Sequence, residues 1–435
     1  MALGGRVGTG NITGVASAIF AGGPGAVFWM WAIAFLGAGS AYVESALSQV
    51  WKEEVHGEYR GGPAYYIEKG LKSRPLGIAF AVLTIFGCGV ALPGIQTNSF
   101  AVAGSAAFGL SPIVVGLVYT GLTGFIIFGG GKRIAKTAEM IVPFMAIGYI
   151  ILALVILFVN FNKIGEVFGL IFSSAFNMNA VYGAVFGQAI AWGVKRGIFS
   201  NEAGQGTGAQ ASGAAEVSHP AKQGLVQAFS VYVDTLFVCT ATAVMILATN
   251  SFNVADPNNA DGFIAEFVPG VAKGNFTQTA VNTVLPGFGG GFVAIALFFF
   301  TFSTVLAYAF YTDSSVAYIF KGNATGNGYK YGILLSRLAI VATCFIGAVA
   351  SVDVVWNFGS AAVGAMAWFN IIVIIILTKP GIATLKDYEE QKKMGLDPVF
   401  VPERCGIKDA DLWHSITEKR YSTELAALKA KTKSA

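Results

Sequence analysis

The sequence predicts an all-α protein that crosses a membrane many times, and three observations carry this prediction. Of its 435 residues, 54% are hydrophobic and only 12% are charged, and the mean hydropathy is +0.63. Soluble domains carry about 25% charged residues, so a soluble protein of this length would lack the charge that its surface requires. The apolar residues also form runs of about 20, the length of a bilayer-spanning helix. Composition therefore excludes a soluble enzyme, a nucleic-acid binder and a disordered chain.

Ten apolar runs are long enough to be spanning helices, and we number them spans 1 to 10. Their predicted bounds are 5–21, 27–50, 76–108, 112–129, 137–159, 180–213, 223–249, 290–319, 331–350 and 354–377. Each should be helical, because irregular backbone facing lipid leaves unpaired amides that cost several kcal/mol each. The alternation of apolar and polar residues that a transmembrane barrel requires is absent from the sequence.

The loops on alternate sides of these spans differ in their basic residues. Apart from the C-terminal tail, one side has only Lys163 and Lys273. The other side has Lys52, Arg60, Lys69, Lys72, Arg74, Lys132, Arg133, Lys136, Lys222, Lys321, Lys330 and Arg337. The positive-inside rule makes the basic side cytoplasmic. We therefore expect a multi-pass protein of the plasma (inner) membrane with both termini inside and the 250–289 loop outside. The tail, 378–435, is expected to face solvent or lipid headgroups and to include an amphipathic helix at 423–433.

Glycine and polar residues interrupt two of the ten spans. Span 1 begins with the stretch 4–11 (GGRVGTGN), and span 6 contains the stretch 197–206 (GIFSNEAGQG). Glycine costs about 1 kcal/mol at each interior helix position, so both helices are predicted to break there. The alternative for either stretch is close packing of small residues. The stretches lie near the starts of two five-helix sets, 1–159 and 180–377, and an odd number of helices inverts the second set. Paired broken helices in inverted halves are typical of secondary transporters.

The same residues fit two other classes of membrane protein, an enzyme and an ion channel, less well than a carrier. An intramembrane enzyme would need a nucleophile with a base, or paired metal ligands, and Ser200, Asn201 and Glu202 have no such partner nearby in the sequence. An ion channel would need pore-forming repeats or a filter loop, and neither is visible in the sequence. No His lies within a span, which argues against a histidine proton relay, and the four Cys residues have neither disulfide nor zinc spacing. We therefore predict that the protein is not an enzyme.

Three stretches of the sequence resemble signatures of the alanine/glycine:cation symporters, the sodium:alanine symporter family. They are 8–12 (GTGNI), 22–31 (GGPGAVFWMW) and 195–204 (KRGIFSNEAG). The resemblance covers almost the whole chain to about residue 380. It implies a LeuT-type fold, in which two five-helix repeats are inverted and spans 1 and 6 are discontinuous. It also implies sodium-coupled uptake of alanine or glycine by alternating access.

The chain departs from this family pattern at two places. Family members usually carry a further segment and helix before the 8–12 stretch, so we expect the N terminus to be truncated. Leu306-Ala307-Tyr308 stands where members often have Leu-Gly-Trp, so one pocket wall is expected to differ. The choice between alanine, glycine and a larger substrate stays open on this basis. A carrier of another small solute and a proton-coupled amino-acid transporter also stay open.

An amino acid at the midplane needs donors for its carboxylate and acceptors for its ammonium group. Amides freed by the break in span 1 would bind the carboxylate. Carbonyls around 197–199, or the amide oxygen of Gln96 in span 3, would accept from the ammonium, although Gln96 could instead make only an interhelical hydrogen bond. The ring of Phe199 would close over a methyl-sized group, or would serve in packing. The predicted substrate-binding residues are Thr9, Gly10, Asn11, Gln96, Gly197 and Phe199.

Sodium requires oxygen ligands, and span 8 carries hydroxyl groups within an aromatic run. Ser303 and Thr304 follow the carbonyl of Phe300 by about one turn, an arrangement that resembles the LeuT-type sodium site. The carbonyls of Gly4 and Val7 in span 1 would complete the site. The alternative is that both hydroxyls bond back to their own helix.

Charged residues inside spans are functional candidates by default. Besides Arg6, they are Glu44, Lys195, Arg196, Glu202, Asp234, Asp313 and Asp353. The fixed charge of Arg6 would repel a neighbouring sodium ion, so we predict one sodium site rather than two. Lys195 and Arg196 are predicted to form a cytoplasmic gate with Glu202, or alternatively to snorkel to the inner interface.

Overall fold

All ten predicted spans are helices in the computed structural model, which describes residues 2–179, 181–259, 262–323 and 326–434. Spans 1 to 10 cover 2–22, Gly25–Val50, Arg74–Phe108, Pro112–Ile127, Gly131–Val159, 186–214, Pro220–Ala248, Gly289–Ile319, Asn327–Val349 and Val352–Ile376. Seven of them are long and apolar enough to cross a membrane by length and composition alone. The other three are the shorter span 4 and the interrupted spans 1 and 6. The predicted start of span 6, at 180, lies outside the described residues.

Both predicted breaks are present. Span 1 is α-helical through Arg6, loses helical geometry at Val7 and Gly8, and resumes at Thr9 before the π-helical turn Gly10–Gly14. In span 6 the first half, Phe186–Asn201, is followed by an irregular segment at 202–206, and the second half is Thr207–Ala214. Within that segment, the residues at 204 and 206 have φ angles of 78° and 83°, which glycine adopts without strain.

Spans 3 and 7 are also interrupted, in each case by a π-helical turn. The turns are Gly87–Ala91 in span 3 and Val233–Cys239 in span 7. Turns of this kind insert a residue into the α-helical ladder and are frequent at functional sites. Neither turn is predictable from the sequence, because a π turn changes neither the length nor the apolar character of a span.

The loops gather in two groups. One group, which we call the basic end, includes the hairpin of β1 (Glu53–Val55) and β2 (Glu58–Arg60), and there Lys321 lies 3.2 Å from Glu53. The other group, which we call the loop end, includes the hairpin of β3 (Asn253–Ala255) and β4 (Phe263–Glu266). The sequence predicts that these two hairpins lie on opposite sides of the membrane.

The C-terminal tail is docked on the basic end, which corrects the expectation that it faces solvent or headgroups. The ring of Trp413 is buried, and its indole N–H donates to the carbonyl of Gln49 at 2.9 Å. The amide of Phe400, also buried, donates to the carbonyl of Ser218 at 2.9 Å. The predicted helix at 423–433 lies within Ser422–Ser434 and is mostly exposed. The tail is therefore held against the basic end by Phe400 and Trp413, which precede this helix.

Large apolar side chains on the outer faces of the spans remain exposed. Phe144 and Phe158 in span 5 and Trp368 in span 10 have 77%, 84% and 74% of their surface exposed. A belt of this kind suits lipid rather than water. The four Cys residues are free, and three of them are buried.

Candidate functional site

Oxygen atoms from span 1 and span 8 converge beside the break in span 1. The hydroxyl of Ser303 lies 3.2 Å from the carbonyl of Gly4 and 3.0 Å from that of Phe300. The hydroxyl of Thr304 lies 3.1 Å from Gly4, 3.4 Å from Val7 and 3.0 Å from Phe300, in each case at the carbonyl oxygen. All five residues are buried. The structure thus brings together every residue predicted for the sodium site, and each hydroxyl reaches both its own helix and span 1.

This cluster consists of neutral oxygen atoms. Carbonyl and hydroxyl oxygens are ligands that suit hard cations, whereas softer metals favour imidazole and thiolate. Among the described residues no group of three or more His, Cys, Asp or Glu side chains is placed to hold a metal ion. The chemistry of the cluster therefore fits an alkali cation rather than a transition metal.

Two of the amides freed by the break in span 1 are capped by side chains. The amide of Gly8 donates to Asn11 Oδ1 at 2.9 Å, and the amide of Thr9 donates to Gln96 Oε1 at 3.1 Å. Gly8 also marks a close approach, since a Cβ atom there would lie 2.5 Å from Thr304 Oγ1. Three of the predicted substrate residues therefore meet at this break, next to the hydroxyl pair of span 8.

Gly10 and Phe199 connect this break to span 6. A Cβ atom on Gly10 would lie 2.8 Å from the Cα of Ser200, so the two spans touch there backbone to backbone. The ring of Phe199 is buried, with its centroid 5.2 Å from that of Trp356 in span 10. Phe199 packs in the apolar cluster that also holds Tyr308, which places it at the centre of the bundle.

The structure corrects the role predicted for Gly197. Its missing side chain accommodates Ile33 of span 2, and a Cβ atom there would clash with that residue. The helix remains regular beyond it, and the carbonyl of Ile198 already accepts from the amide of Glu202 at 3.0 Å. The glycine at 197 is therefore a packing residue, and the irregular backbone of span 6 begins five residues later.

Asp234 in the π turn of span 7 ties the two breaks together. Asn11 Nδ2 donates to Asp234 Oδ1 at 2.5 Å, and Ser200 Oγ donates to Asp234 Oδ2 at 3.0 Å. Thr235 Oγ1 donates to the same oxygen at 2.9 Å. The sequence marked Asp234 only as a charge inside a span. Its partners lie in spans 1 and 6, and spacing along the chain gave no signal for them.

A second buried carboxylate, Glu44 of span 2, fills the break in span 6. The amide of Gly206 donates to Glu44 Oε2 at 3.0 Å, and the amide of Gly204 donates to Oε1 at 3.4 Å. Asn370 Nδ2 of span 10 donates to the same Oε2 at 2.8 Å. Helix N-termini bind anions, and here the protein supplies the anion itself.

Arg6 points away from the hydroxyl pair of span 8. Its Nη1 donates to the carbonyl of Gln227 at 2.9 Å and also contacts the hydroxyl of Ser230, both in span 7. The guanidinium lies against the second half of span 6, where a Cβ atom on Gly208 would come 2.8 Å from Nη2. The prediction of a single sodium site, which rested on repulsion by Arg6, stays a prediction.

The predicted gate of Lys195, Arg196 and Glu202 does not form in the described part of the chain. The guanidinium of Arg196 stacks 4.3 Å above the ring of Trp356, and the ammonium of Lys195 lies 4.8 Å above that of Trp192. Neither makes an ion pair with Glu202. The physical reason is that Glu202 lies beyond the end of the helix with a left-handed φ of 55°, which turns it away from the face carrying the two cations.

A cavity of about 540 Å³ lies between the 250–288 segment and spans 1, 3 and 10. Polar side chains line it, among them Ser17 and Asn98, and Trp356 also lines it. At the same end Lys273 lies 3.6 Å from Asp353 at the start of span 10. Trp356 therefore separates this cavity from Phe199 of span 6, whose ring it contacts on its other side.

Ten spans, with breaks in the first and sixth and polar groups gathered at both, define a multi-pass membrane transporter. The model of the sodium:alanine symporter family matches residues 1–402. The chain belongs to that family.

Several relatives are similar over most of their length. The putative sodium/proton-dependent alanine carrier protein YrbD of Bacillus subtilis (strain 168) is 55% identical over 426 residues, which cover 98% of this chain and 86% of that protein. The sodium/proton-dependent alanine carrier protein of Bacillus sp. (strain PS3) is 47% identical, covering 95% and 92%. The sodium/alanine symporter AgcS of Methanococcus maripaludis is 41% identical, covering 90% and 83%.

A solved transporter structure shares the fold. The crystal structure of MhsT in complex with L-phenylalanine matches with a TM-score of 0.53 at 16% identity, covering 98% of this chain and 95% of that chain. At this identity the likeness is one of fold alone. It confirms the LeuT-type fold with interrupted spans 1 and 6.

Proposed function

We propose that this protein takes up a small neutral amino acid, alanine or glycine, together with sodium by alternating access. The observation that carries the proposal is the convergence of buried carbonyl and hydroxyl oxygens from spans 1 and 8. Membership of the sodium:alanine symporter family supports it, as do relatives named for sodium and alanine.

Sodium would be held by the carbonyls of span 1 and by the carbonyl and hydroxyls of span 8. The residues are Gly4, Val7, Phe300, Ser303 and Thr304. An ion bound there attaches the first half of span 1 to span 8. A ligand shifts a conformational equilibrium towards the state that it binds better, so sodium would favour the arrangement in which these two elements touch.

The amino acid would bind at the break of span 1, beside the sodium site. Its carboxylate would take the amide of Thr9 in place of Gln96, and the adjacent amides of Gly10 and Asn11 complete the predicted set. The displaced oxygen of Gln96 is then free to accept from the ammonium group. The ring of Phe199 would close over a small side chain, which favours alanine or glycine over larger substrates.

We further propose that the two halves, 1–159 and 180–377, are inverted repeats and that the basic end is cytoplasmic. Each half begins with a span that breaks, which supports the repeat. The basic end carries most of the Lys and Arg residues in the loops, together with the docked tail at 378–435, which supports the orientation. Uptake would then proceed from the loop end towards the basic end.

Uptake of labelled alanine into proteoliposomes, with an inward gradient of sodium or of choline, tests the proposal. We expect accumulation with sodium only, and loss of that accumulation in a variant carrying both Ser303→Ala and Thr304→Ala. Thr301→Ala is the matched control, because the Thr301 hydroxyl is buried in the same span and bonds to carbonyls of its own helix rather than to those of span 1.

Equal uptake in choline and sodium would contradict sodium coupling and favour the proton-coupled alternative. Equal loss of uptake in the control and in the double variant would show that the two hydroxyls have no particular role. Competition by unlabelled amino acids in the same assay separates alanine, glycine and larger substrates.

A further inference from the structure

A second cavity, of about 390 Å³, lies at the basic end, and we call it the span 10 cavity. Three spans end beside it. Trp51 directly follows the last residue of span 2, and Lys72 lies just before Arg74, the first residue of span 3. Lys379 lies just beyond Ile376, the last residue of span 10. The cavity is therefore at the depth of the lipid headgroups.

The walls of the span 10 cavity carry an excess of positive charge. Four lysines line it, with one carboxylate among the described lining residues: Lys69, Lys72, Lys379 and Lys408, with Asp409. Asp409 contacts Lys72, and Lys69 lies 3.1 Å from Glu53, which does not line the cavity. Lys379 and Lys408 are exposed and make no ion pair within the described part of the chain. Two lysines from separate segments are thus left to bind an anion.

The floor of the cavity is apolar and closely packed. Trp51, Leu377 and Ile407 line it, and all three are buried. A Cβ atom on Gly70 would lie 2.8 Å from Leu377 Cδ1 and 3.0 Å from Trp51 Cη2. The indole N–H of Trp51 donates to the carbonyl of Lys408 at 2.9 Å, which holds this part of the tail against the end of span 2. A charged rim above an apolar floor suits an amphipathic ligand.

An exposed apolar face of span 10 leads to the cavity. Ile372, Ile375 and Ile376 each have more than half of their surface exposed. Together with Lys379 they have the spacing i, i+3, i+4 and i+7, which places all four on one face of a helix. The backbone is helical on both sides of Leu377, so this apolar stripe continues to the lysine. Acyl chains that lie on the stripe would bring a headgroup to the mouth of the cavity.

We infer that the span 10 cavity binds the headgroup of an anionic phospholipid whose acyl chains lie along span 10. The phosphate would accept charge-assisted hydrogen bonds from Lys379 and Lys408, and the glycerol group would contact the apolar floor. Basic pockets between membrane helices on the cytoplasmic side bind such headgroups, and the proposed orientation places the basic end on that side. Lysines that only snorkel to the interface need no shared cavity. The inference does not depend on the solute that the protein carries.

A lipid bound in this cavity would connect parts of the chain that are far apart in the sequence. Its phosphate would neutralise lysines from the segment 69–72, from the end of span 10 and from the tail segment 405–409. Without the lipid, these like charges repel one another across the cavity. The lipid would therefore help to hold the tail against the basic end.

Titration of the full chain in detergent with phosphatidylglycerol tests the inference, with bound lipid counted by native mass spectrometry. Phosphatidylcholine and water-soluble glycerol phosphate are the control ligands, and we expect both to bind more weakly. Lys379→Gln combined with Lys408→Gln should weaken phosphatidylglycerol binding roughly 30-fold, the loss expected for two lysines at an anionic surface. Lys392→Gln combined with Lys393→Gln removes two exposed tail lysines that do not line the cavity, and it should leave the binding unchanged.

A charge-conserving pair of substitutions and hydrogen–deuterium exchange give further measurements. Lys379→Arg combined with Lys408→Arg should retain the binding, and phosphatidylglycerol should slow exchange in the tail segment 405–413 of the wild type but not of the Gln pair. Equal weakening by the two Gln pairs, or equal binding of the two lipids, would overturn the inference. Glycerol phosphate that binds as tightly as phosphatidylglycerol would also overturn it, because the site would then hold free phosphate. Each of these outcomes leaves the proposed symport intact.

Discussion

The breaks in spans 1 and 6 both turn backbone groups towards a neighbouring span, but the groups differ: they are carbonyl oxygens in span 1 and amides in span 6. In span 1 the break directs the carbonyls of Gly4 and Val7 towards two neutral hydroxyls of span 8. In span 6 the break directs the amides of Gly204 and Gly206 towards the carboxylate of Glu44. The oxygen cluster at span 1 has no charged member, whereas the donors of span 6 are already satisfied by an anion of the protein. The difference indicates that span 1 is available to a cation and that span 6 is a fixed part of the framework.

The largest expected effect follows from removing the anion that fills the span 6 break. Glu44→Ala would leave the buried amides of Gly204 and Gly206 without their acceptor, at about 1–3 kcal/mol for each unsatisfied group, and Asn370 would keep only its bond to the Gly204 carbonyl. We therefore expect this variant to lose alanine uptake and to unfold at a clearly lower temperature in detergent. Glu44→Gln retains the shape and one acceptor oxygen and should be intermediate in both measurements.

Such an outcome would place Glu44 in the framework. If Glu44→Ala kept its melting temperature but lost sodium coupling, the comparison would reverse, and the break in span 6 would belong to the ion site. Glu139→Gln, on the exposed face of span 5, controls for loss of a carboxylate as such.

The next largest effect is expected at the span 1 break, where alanine substitutions at two glycines of the same span can be compared. A Cβ atom at Gly8 would lie 2.5 Å from Thr304 Oγ1 and 3.2 Å from Gln96 Oε1, whereas at Gly14 the nearest atom lies 3.7 Å away. Gly8→Ala should therefore displace the hydroxyl pair and weaken activation of uptake by sodium about tenfold or more, equivalent to about 1.4 kcal/mol. Gly14→Ala should leave the sodium titration unchanged. Equal effects of the two substitutions would contradict a cation site at this break.

The two breaks also differ in how far the sequence could predict them. The residues of the predicted sodium site could be named from the sequence because the relevant features are local and resemble the LeuT-type site: glycines that free carbonyls in span 1, and adjacent hydroxyls in span 8. The partners of the span 6 break, Glu44 and Asn370, come from spans 2 and 10, so no spacing along the chain points to them. A glycine in a membrane helix signals both a break and a close approach, and sequence alone could not separate these roles at Gly197.

A smaller effect tests that correction. Gly197→Ala should press on Ile33 of span 2 and destabilise the contact between spans 2 and 6, since overpacking typically costs about 1–3 kcal/mol. We expect a lower melting temperature with unchanged half-saturation constants for alanine and sodium. Adding Ile33→Ala should restore part of the stability. A raised half-saturation constant for alanine at unchanged stability would return Gly197 to the binding site.

The smallest effect concerns the region beyond span 6, where its second half leads through Ser218 and His219 to the docked tail. His219 Nε2 lies 3.1 Å from Asp387 of the tail, and its Nδ1 accepts from the amide of Ala221. Burial lowers the pKa of His219 by more than the neighbouring Asp387 carboxylate raises it. Burial raises the pKa of Asp387, but the hydrogen bonds and charges of His219 and Arg404 together outweigh it and hold that pKa below its usual range. The docked state therefore resists protonation of His219 and loses stability as the pH falls below about 6.5, the ordinary His value. Asp387 remains ionised in this window and is not the source of the effect.

Hydrogen–deuterium exchange of residues 397–420, corrected for the intrinsic pH dependence of exchange, measures this docking. We expect faster exchange at pH 5.5 than at pH 7.5, and little difference in the exchange of span 1, because the tail contacts lie on the side of spans 2 and 7. His219→Gln should remove most of the pH dependence. His414→Gln, which alters the exposed pair with Glu403, should leave it in place. The tail docks next to the chain that follows the span 6 break. If exchange in span 1 and in the tail rose together on acidification, the two breaks would therefore be coupled, and protonation at the tail would also affect the predicted sodium site.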